Sequence, residues 1–581
     1  MNRLGLTGLL LAICLTTSVF AAPKQKPYQP MGAPSDPKVP AQWNRYHDYS
    51  EATSLLKKMA AAHPDRAQLA SLGKSYDGRE MWLFTVTNRK TGDDRSKPAF
   101  WIDGGIHANE IQGPQVALYT AWYLLEMYGR HEAVTRLVDE RTFYLLPMMS
   151  PDSRDDHMHR PNTTSSPRAG QRPVDDDRDG LVDEDGHDDL DGDGHITQMR
   201  RRDPNGRWKI HPKYPNLMIQ AEKDERGEYE LLGVEGIDND GDGRVNEDGV
   251  GFYDPNRDWP RMWQPGYVQG GAYRYPFSLG ENRLVADFVL DHPNIAGAQS
   301  YHNSGGMILR GPGNSDDAYS ASDVAVYDAI AAKGTQMLPF YDYLVCSTGL
   351  YEVYGGEFDW FFGMRGIFSF TNELFTRENY FRRELTDRQE GEQQFDNLLL
   401  LGQGTVPWHE VDHPQYGQIE VGGKRKEWGR QPPSFLLEEE CHRNMAFTLY
   451  HADQMPQVAI QSVDVKPLAG KLVEVTAAVV NEKLIPTHAD ADLKNKITPP
   501  DVVSITGRGF KIVAALQSRE PFFQNAEEQE KRPAEVRVAG IPGMGAVYVR
   551  WLVEGPGPYT INVQSVKGGS AQVQKGNISA E

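Results

Sequence analysis

The apolar residues after Tyr49 recur at intervals of three and four positions as far as Ala60, which predicts an amphipathic helix. Two short strands are predicted next, at 68–72 and 81–87, because apolar residues there flank a Tyr76-Asp77-Gly78 turn. A helix followed by a hairpin therefore opens the folded part of the chain.

The pattern then changes to strand, glycine turn and helix. The apolar run 99–103 ends in Gly104-Gly105, and an amphipathic segment follows at 113–127. Further apolar runs that lead into polar or glycine residues lie at 141–147, 295–301 and 366–370. This alternation predicts an α/β fold with a mostly parallel mixed sheet flanked by helices.

Beyond Met455 the pattern changes again, and no helical period is visible. Short β-branched runs separated by glycine and proline turns lie at 458–465, 472–480, 547–553 and 559–566. Runs of this kind predict a separate all-β sandwich over 456–581.

The N-terminus has the features of a secretory signal. Arg3 precedes an apolar run from 4 to 20, and small residues follow, so we predict a signal peptide over 1–21. Residues 22–45 are rich in proline and predict an extended arm, and 46–455 is the predicted α/β domain with an acidic insertion at about 160–250. The expected location is secreted or periplasmic, with no integral membrane segment after signal removal.

Composition and charge narrow the classes of function. With 39% hydrophobic and 24% charged residues, the chain has the composition of a globular protein. Its net charge of −20 argues against nucleic acid as a partner, because the phosphate backbone requires a basic surface. Cys346 and Cys441 are too few for a disulfide framework, although one bridge between them is possible.

A metal-binding pattern stands where strands end. The first glycine turn continues as Ile106-His107-Ala108-Asn109-Glu110, and a second histidine, His302, follows the apolar run 295–301. Ligands gather at the carboxyl ends of strands in open α/β sheets. A set of two histidines and one glutamate leaves zinc a fourth position for water, so His107, Glu110 and His302 are the predicted Zn²⁺ ligands.

Glu373 is a candidate general base. It lies among apolar residues in the sequence Phe368-Ser369-Phe370-Thr371-Asn372-Glu373-Leu374, at the end of another predicted strand. Apolar surroundings raise the pKa of a carboxyl group towards the value that a general base needs.

Taken together, residues 46–410 resemble the zinc metallocarboxypeptidases typified by pancreatic carboxypeptidase A. The resemblance includes the turn at 73–79, the two histidines and the glutamate, and the sequence Asp254-Pro255-Asn256-Arg257. It implies a hydrolase that removes the C-terminal residue of a peptide with a free C-terminus, with zinc held by His107, Glu110 and His302 and with Glu373 as the base.

The resemblance also implies roles in substrate binding. Asn256 and Arg257 match the pair that holds the terminal carboxylate, and Tyr351 matches the mobile tyrosine that closes over it. Phe358 matches the main specificity position, which favours an apolar or aromatic C-terminal residue. Arg200 is the candidate for the arginine that polarises the scissile carbonyl, although Arg201 or Arg202 could serve instead.

The acidic insertion contains three windows that resemble EF-hand loops, with oxygen ligands at positions 1, 3 and 5 and glycine at position 6. Their aspartates are Asp175, Asp177 and Asp179 in the first window, Asp189, Asp191 and Asp193 in the second, and Asp238, Asp240 and Asp242 in the third. The usual glutamate at position 12 is missing, and the first and third windows have Glu-Asp at positions 10 and 11 instead. The repeated spacing predicts Ca²⁺ binding.

Two other functions remain open on the sequence. The same fold and zinc site could belong to an amidase or endopeptidase that cleaves peptidoglycan stem peptides. The acidic loops could also belong to a calcium-dependent binding protein with a vestigial active site. Comparison of a peptide acid with its amide distinguishes the first alternative, and zinc content with turnover of a blocked dipeptide distinguishes the second.

Overall fold

The computed structural model describes residues 32, 34–376, 380 and 387–578. The predicted signal peptide and the first ten residues of the Pro-rich arm lie outside the described residues.

The helices of the described residues are numbered in chain order. They are α1 (Tyr49–Ala62), α2 (Gln112–Met127), α3 (Glu132–Glu140), α4 (Pro151–His159), α5 (Gly280–Asp291), α6 (Ala321–Met337), α7 (Cys346–Gly349), α8 (Glu357–Arg365), α9 (Arg388–Phe395), α10 (Ser434–Asp453) and α11 (Asp490–Asn495).

The strands fall into two groups along the chain. Those before residue 425 are β1 (Ala67–Lys74), β2 (Glu80–Val86), β3 (Ala99–Gly104), β4 (Thr142–Leu146), β5 (Gln198–Arg202), β6 (Trp208–Ile210), β7 (Met218–Gln220), β8 (Tyr229–Val234), β9 (Ile295–Asn303), β10 (Met307–Arg310), β11 (Asp342–Val345), β12 (Phe368–Leu374), β13 (Thr405–His413) and β14 (Gly417–Lys424). Those after it are β15 (Val458–Pro467), β16 (Leu472–Asn481), β17 (Asp501–Gly507), β18 (Lys511–Ser518), β19 (Glu527–Glu528), β20 (Glu535–Val538), β21 (Gly545–Glu554), β22 (Pro558–Ser565) and β23 (Gly569–Asn577).

A central sheet forms the core of the N-terminal region. Among the described residues its strand order is β1-β2-β4-β3-β9-β12-β10-β11. The four middle strands β4, β3, β9 and β12 run parallel to one another, and β1, β2 and β10 add antiparallel pairs. The predicted α/β fold with a mostly parallel mixed sheet flanked by helices is therefore confirmed.

Helix α1 shows how local sequence sets the elements that surround this sheet. Asp48 and Glu51 form a reciprocal capping box, which fixes the start of the helix. Its apolar positions Ala52, Leu55 and Met59 are buried, as their spacing predicts. Helix α2, in contrast, is buried on every side between the sheet and its neighbours, so it has no solvent-facing stripe.

A second sheet, which we call the insertion sheet, was not predicted from the sequence. Its strand order is β13-β14-β5-β8-β6-β7 in the described part of the chain. Four of its strands come from the acidic insertion, and β13 and β14 come from a hairpin some 170 residues further along the chain. The insertion is thus not only a set of loops but also part of an ordered antiparallel sheet.

The C-terminal region forms a β-sandwich. One antiparallel sheet has the order β15-β16-β21-β18-β19 and the other has the order β20-β17-β22-β23. Buried side chains from both sheets share one core, including Val475 and Trp551 from the first sheet and Val503 and Ile561 from the second. Two sheets that pack face to face in this way bury their inward alternating residues.

The sandwich contacts the α/β region through a polar cluster next to α11. Lys567 donates hydrogen bonds to the carbonyls of Arg365 and Gly366, at the C-terminal end of α8, and to Asp492 at 3.0 Å. A cation at this position satisfies carbonyls that the helix leaves free. His488 lies in the same cluster, 3.2 Å from Asp501.

This cluster predicts a pH-dependent stability. Burial alone would lower the pKa of His488, but hydrogen bonds to Asp492 and Asp501 raise it from 6.5 to about 9. A raised histidine pKa stabilises the folded state below pH 6.5, and this contribution is lost as the pH rises through 9. We expect the free energy of unfolding to fall between pH 6.5 and 9 by on the order of 1 to 3 kcal/mol, measured by urea titration.

His488→Gln is the control for this prediction, because glutamine keeps hydrogen-bonding groups but does not titrate. The variant should lose most of the slope between pH 6.5 and 9. A slope that is equal in the wild type and in His488→Gln would assign the effect to other groups.

Two further observations bear on the sequence predictions. In the described residues, none of the helices combines the length and the apolar character needed to cross a membrane. Cys346 and Cys441 are both buried and form no disulfide with each other.

Candidate active site

The ends of neighbouring strands bring the candidate ligands together. His107 and Glu110 lie in the turn between β3 and α2, and His302 lies near the end of β9, which pairs with β3. Glu373, on β12, is the direct neighbour of His302 across the parallel pair β9–β12. This packing requires glycine at position 113, because a Cβ atom there would lie 2.6 Å from the Tyr301 carbonyl oxygen.

The three predicted zinc ligands form one buried cluster. His107 Nδ1 lies 3.0 Å from Glu110 Oε1, and His302 Nδ1 lies 3.0 Å from Glu110 Oε2. The two Nδ1 atoms are 3.1 Å apart. All three residues are at most 2% exposed. The structure therefore brings His107, Glu110 and His302 together as the sequence predicts.

A second layer of residues orients these ligands. Asp254 accepts a hydrogen bond from His107 Nε2 at 2.8 Å, which leaves the Nδ1 lone pair of His107 directed at the cluster. The backbone N–H of Asn303 donates to Glu110 Oε2 at 3.1 Å. Arg168 joins both parts, with Nε 3.2 Å from Asp254 and Nη1 3.2 Å from Glu110.

The donor set fits a zinc ion. Two imidazole nitrogens and a carboxylate are ligands that catalytic zinc takes, and a carboxylate behind a ligating histidine is the usual supporting group. The observation that supports the fit is the convergence of donor atoms from three buried residues, two imidazole nitrogens and both carboxylate oxygens, at distances close to 3 Å. His107, Glu110 and His302 would hold the ion.

A cavity of about 540 Å³ opens beside the cluster. Its wall includes Glu110, Arg168, Tyr351, Glu373 and Arg430. Burial, together with the neighbouring Glu110 charge, raises the pKa of Glu373 to about 7, although His302 and the two arginines oppose the shift. A carboxylate in this position can accept a proton from a molecule bound in the cavity.

Two of the predicted substrate residues, Asn256 and Arg257, lie next to Asp254. Asn256 and Arg257 form a short 3₁₀ turn directly after Asp254, and Arg257 Nη2 is 3.8 Å from Asp254 Oδ2. Asn256 accepts a hydrogen bond from the backbone N–H of Glu357 at 2.8 Å. Both residues are less than 10% exposed.

Tyr351 and Phe358 differ in their surroundings. Tyr351 is 50% exposed at the cavity wall, whereas Phe358 is buried in a small apolar cluster with Cys346 and Val353. Phe358 is not among the residues that line the 540 Å³ cavity. The structure therefore places Tyr351 at the cavity and does not bring Phe358 to its wall.

Comparison with known proteins agrees with this geometry. Residues 52–173, which include His107 and Glu110, match the zinc carboxypeptidase family model. This segment belongs to the zinc carboxypeptidase family. Residues 457–575, which cover the sandwich, match a domain family of unknown function.

The curated relatives match a short part of this chain. Carboxypeptidase B2 of Rattus norvegicus is 32% identical over 113 residues, which is 19% of this chain and 26% of the relative. Carboxypeptidase D of Homo sapiens is 30% identical over 111 residues, which is 19% of this chain and 8% of the relative. The inactive metallocarboxypeptidase of Ajellomyces capsulatus is 27% identical over 139 residues, 23% of each chain. The matches thus span about a quarter or less of these relatives.

Solved structures of carboxypeptidases overlap more of the chain, at low similarity. Thrombin activatable fibrinolysis inhibitor has a TM-score of 0.43 and 18% identity, and the alignment covers 71% of this chain and 74% of that one. Carboxypeptidase A from Helicoverpa armigera has a TM-score of 0.38 and 18% identity, with 57% and 65% covered. These TM-scores are below 0.5, and the architecture is established by the strand order described above.

The prediction for Arg200 is wrong: the structure does not bring this residue to the 540 Å³ cavity beside the metal cluster. Arg200 lies on β5 of the insertion sheet, where Nε donates to Glu420 at 2.7 Å and the guanidinium lies between the rings of Tyr229 and Trp408. Its side chain is therefore fully engaged in a buried cage. The alternatives lie on the same strand, and Arg201 pairs with Glu230 while Arg202 is largely exposed.

Three residues of the candidate site were not predicted from the sequence. Asp254 was recognised only as part of the Asn-Arg sequence, although a carboxylate two residues before Asn256 is a natural partner for a ligating histidine. Arg168 has no local signal, since it is one of several arginines in the segment 154–172. Arg430 comes from a loop 57 residues after Glu373, and its Nη1 donates to the Asn303 carbonyl at 3.1 Å.

The predicted calcium aspartates lie in three turns of the same conformation. In each turn the aspartate at position 1 accepts a hydrogen bond from the backbone N–H of the glycine at position 6, at 3.2, 3.0 and 3.1 Å. These glycines, Gly180, Gly194 and Gly243, have φ of +100°, +88° and +94°, which only glycine adopts readily. The local fold of an EF-hand-like loop is present three times, and Ca²⁺ binding stays a prediction.

Proposed function

We propose that this protein is a zinc-dependent carboxypeptidase that hydrolyses the C-terminal peptide bond of a peptide with a free carboxylate. The observation that supports this function is the position of Glu373 on the cavity wall, beside the buried cluster of His107, Glu110 and His302 and close to the Asp254–Arg257 network.

Each residue of the site has a distinct role in the proposed reaction. Zinc, when bound, polarises the scissile carbonyl and acidifies water. Glu373 accepts the proton of the attacking water and returns it to the leaving amine, because its carboxylate lies on the cavity wall beside His302 and is not one of the metal ligands. Asp254 holds His107 in the tautomer that a metal requires.

Two arginines bind the substrate in the proposed reaction, one at the scissile carbonyl and one at the terminal carboxylate. We assign polarisation of the scissile carbonyl to Arg168, which lines the cavity and is fixed by Asp254 and Glu110. Arg257, with Asn256 beside it, binds the terminal carboxylate, since a guanidinium suits carboxylate geometry. Tyr351 is exposed enough to move over the bound carboxylate.

Arg257→Ala tests the substrate class. The variant should lose on the order of a hundredfold in kcat/KM on a blocked peptide acid, because a buried charge pair with the substrate is removed. It should change little on the C-terminally amidated analogue, where the partner of the guanidinium is absent. Steady-state kinetics on the matched acid and amide measure the difference.

The wild-type protein supplies the control for this experiment. A wild type that cleaves the amide as well as the acid, together with equal losses on both substrates in Arg257→Ala, would contradict the carboxypeptidase proposal. That result would favour the amidase or endopeptidase that acts on peptidoglycan stem peptides.

Two further proposals concern the setting of the enzyme. The charged and apolar pattern of residues 1–21 supports a secreted or periplasmic location. The three EF-hand-like turns support Ca²⁺ as an additional ion.

A further inference from the structure

Two of the three acidic turns form a pair. We call residues 175–186 loop 1 and residues 238–249 loop 3. Position 11 of loop 1 is Asp185 and position 11 of loop 3 is Asp248, and these two residues form an antiparallel backbone bridge. Their N–H groups donate to each other's carbonyl oxygens at 3.1 and 3.2 Å. The loops are thus joined at equivalent positions, in the manner of a two-fold pair.

The bridge carries each position-11 carboxylate into the opposite loop. One oxygen each of Asp175 and Asp177, at positions 1 and 3 of loop 1, lies within 4.8 Å of an oxygen of Asp248. In the same way, oxygens of Asp240 and Glu247 of loop 3 lie within 4.8 Å of an oxygen of Asp185. Each loop therefore lacks its own position-12 ligand but receives an aspartate from its partner.

Glycine stands at position 12 of both loops, where an EF-hand loop usually has glutamate. Gly186 and Gly249 face each other across the bridge, and a Cβ atom on Gly249 would lie 3.5 Å from the Gly186 Cα atom and 2.8 Å from the ring of Phe252. Position 12 of each loop therefore lies against the other loop and supplies no side-chain ligand.

An independent observation points to a cation at this cluster. Asp248 is 0% exposed, and its Oδ2 atom has no hydrogen-bond partner in the described structure. Glu184 and Glu247, at position 10 of the two loops, also have a buried Oε2 atom without a partner there. A buried carboxylate without a donor or counter-ion is costly, so such groups are normally paired or coordinate a metal.

The two glutamates add carboxylates to the same cluster. Oxygens of Asp177, Asp179 and Glu184 lie within 4.8 Å of one another in loop 1, and an oxygen of Glu247 lies within the same distance of Asp185. A divalent cation between these carboxylates would remove their mutual repulsion.

We propose that loops 1 and 3 form one module that binds two Ca²⁺ ions reciprocally, with Asp248 completing the site of loop 1 and Asp185 completing the site of loop 3. This proposal rests on the calcium binding included in the proposed function and adds its architecture. Hard oxygen ligands in flexible turns favour calcium over transition metals.

The module lies, in the sequence, between Arg168 and Asp254, the two residues that support the predicted metal ligands. Loop 1 begins seven residues after Arg168, and Asp254 follows loop 3 by five residues. The two connecting segments pack together, with the backbone N–H of Arg172 donating to the Tyr253 hydroxyl at 3.3 Å. Because the Asp185–Asp248 bridge closes this structure, the module positions both Arg168 and Asp254 behind His107 and Glu110.

The experiment counts calcium ions on the zinc-loaded full chain by equilibrium dialysis with ⁴⁵Ca²⁺. Two triple variants have the same change in charge. One combines Asp175→Asn and Asp177→Asn with Asp248→Asn, and the other combines the same pair with Asp185→Asn. Asp224→Asn, an exposed acidic position in a turn outside the loops, is the control and should keep every ion.

Reciprocal binding and independent loops give opposite results. If binding is reciprocal, the variant with Asp248→Asn loses one ion, because all three changes affect one site, and the variant with Asp185→Asn loses two. If each loop instead used its own position-11 aspartate, the variant with Asp248→Asn would lose two ions and the variant with Asp185→Asn would lose one. That result would overturn the reciprocal architecture. A wild type that binds no calcium would instead contradict calcium binding itself, and neither result bears on peptidase activity.

Zinc release provides a second measurement that does not depend on turnover. Transfer of zinc to a colorimetric chelator should be about tenfold faster from the calcium-free protein than from the calcium-loaded protein, since groups behind metal ligands change zinc affinity by this order. The Asp224→Asn control should respond to calcium as the wild type does. Equal release rates with and without calcium in the wild type would overturn the link between the module and Arg168 and Asp254.

Discussion

Glu373→Gln should retain zinc and lose roughly a thousandfold in kcat, because glutamine keeps the shape of the side chain but cannot accept a proton. Glu373 is not among the three residues that converge at the metal cluster, so its loss removes a function without removing a ligand. Zinc content by atomic absorption and turnover of a blocked dipeptide acid measure the two properties separately.

The matched variant is His107→Ala, which should lose both zinc and activity. The imidazole of His107 contributes a donor atom 3.0 Å from Glu110 and 3.1 Å from the nitrogen of His302. If Glu373→Gln keeps most of its activity while His107→Ala loses it, the metal site is correct and the general base has been assigned to the wrong residue.

The second large effect is expected at Arg168. Arg168→Lys keeps a positive charge but not the planar fork that joins Asp254 and Glu110, so kcat should fall on the order of a hundredfold, as for loss of a group that stabilises the developing oxyanion. Zinc content should be measured in parallel, because Arg168 also touches the residues behind the metal site.

Arg200→Met is the control that distinguishes the two arginines. Removal of its buried guanidinium leaves the partly exposed Glu420 without its nearest cation and empties the space beside Trp408, so the protein should lose about 3 kcal/mol of stability while the folded protein keeps its kcat. A large loss of kcat in Arg200→Met with no loss in Arg168→Lys would return carbonyl polarisation to Arg200.

The sequence predicted the parts of the site that are tied to strand ends. His107, Glu110, His302 and Glu373 each follow or end an apolar run, and parallel strands carry such positions to the same edge of the sheet. The α/β fold and the pattern of the C-terminal strands were predictable for the same reason, since both depend on short-range periodicity.

The parts that were not predicted depend on contacts between distant segments. The insertion sheet joins β5, near residue 200, to β14, near residue 420. Neither strand has a sequence pattern that identifies the other as its pairing partner. Arg168 reached the site because its loop packs against the segment before Asp254, and no spacing within the sequence records that contact. Arg200 was selected by its place in an arginine-rich run, but strand pairing turned it towards Glu420 and away from the cavity.

The division of the chain into two family matches does not describe how it unfolds. Ile485 and Ala489 belong by sequence to the C-terminal region, yet they are buried in the main hydrophobic core of the α/β region. A fragment that ended near residue 455 would leave apolar surface of that core open to water. The two regions should therefore unfold in a single calorimetric transition, so that the C-terminal region contributes to the stability of the region that holds the candidate site.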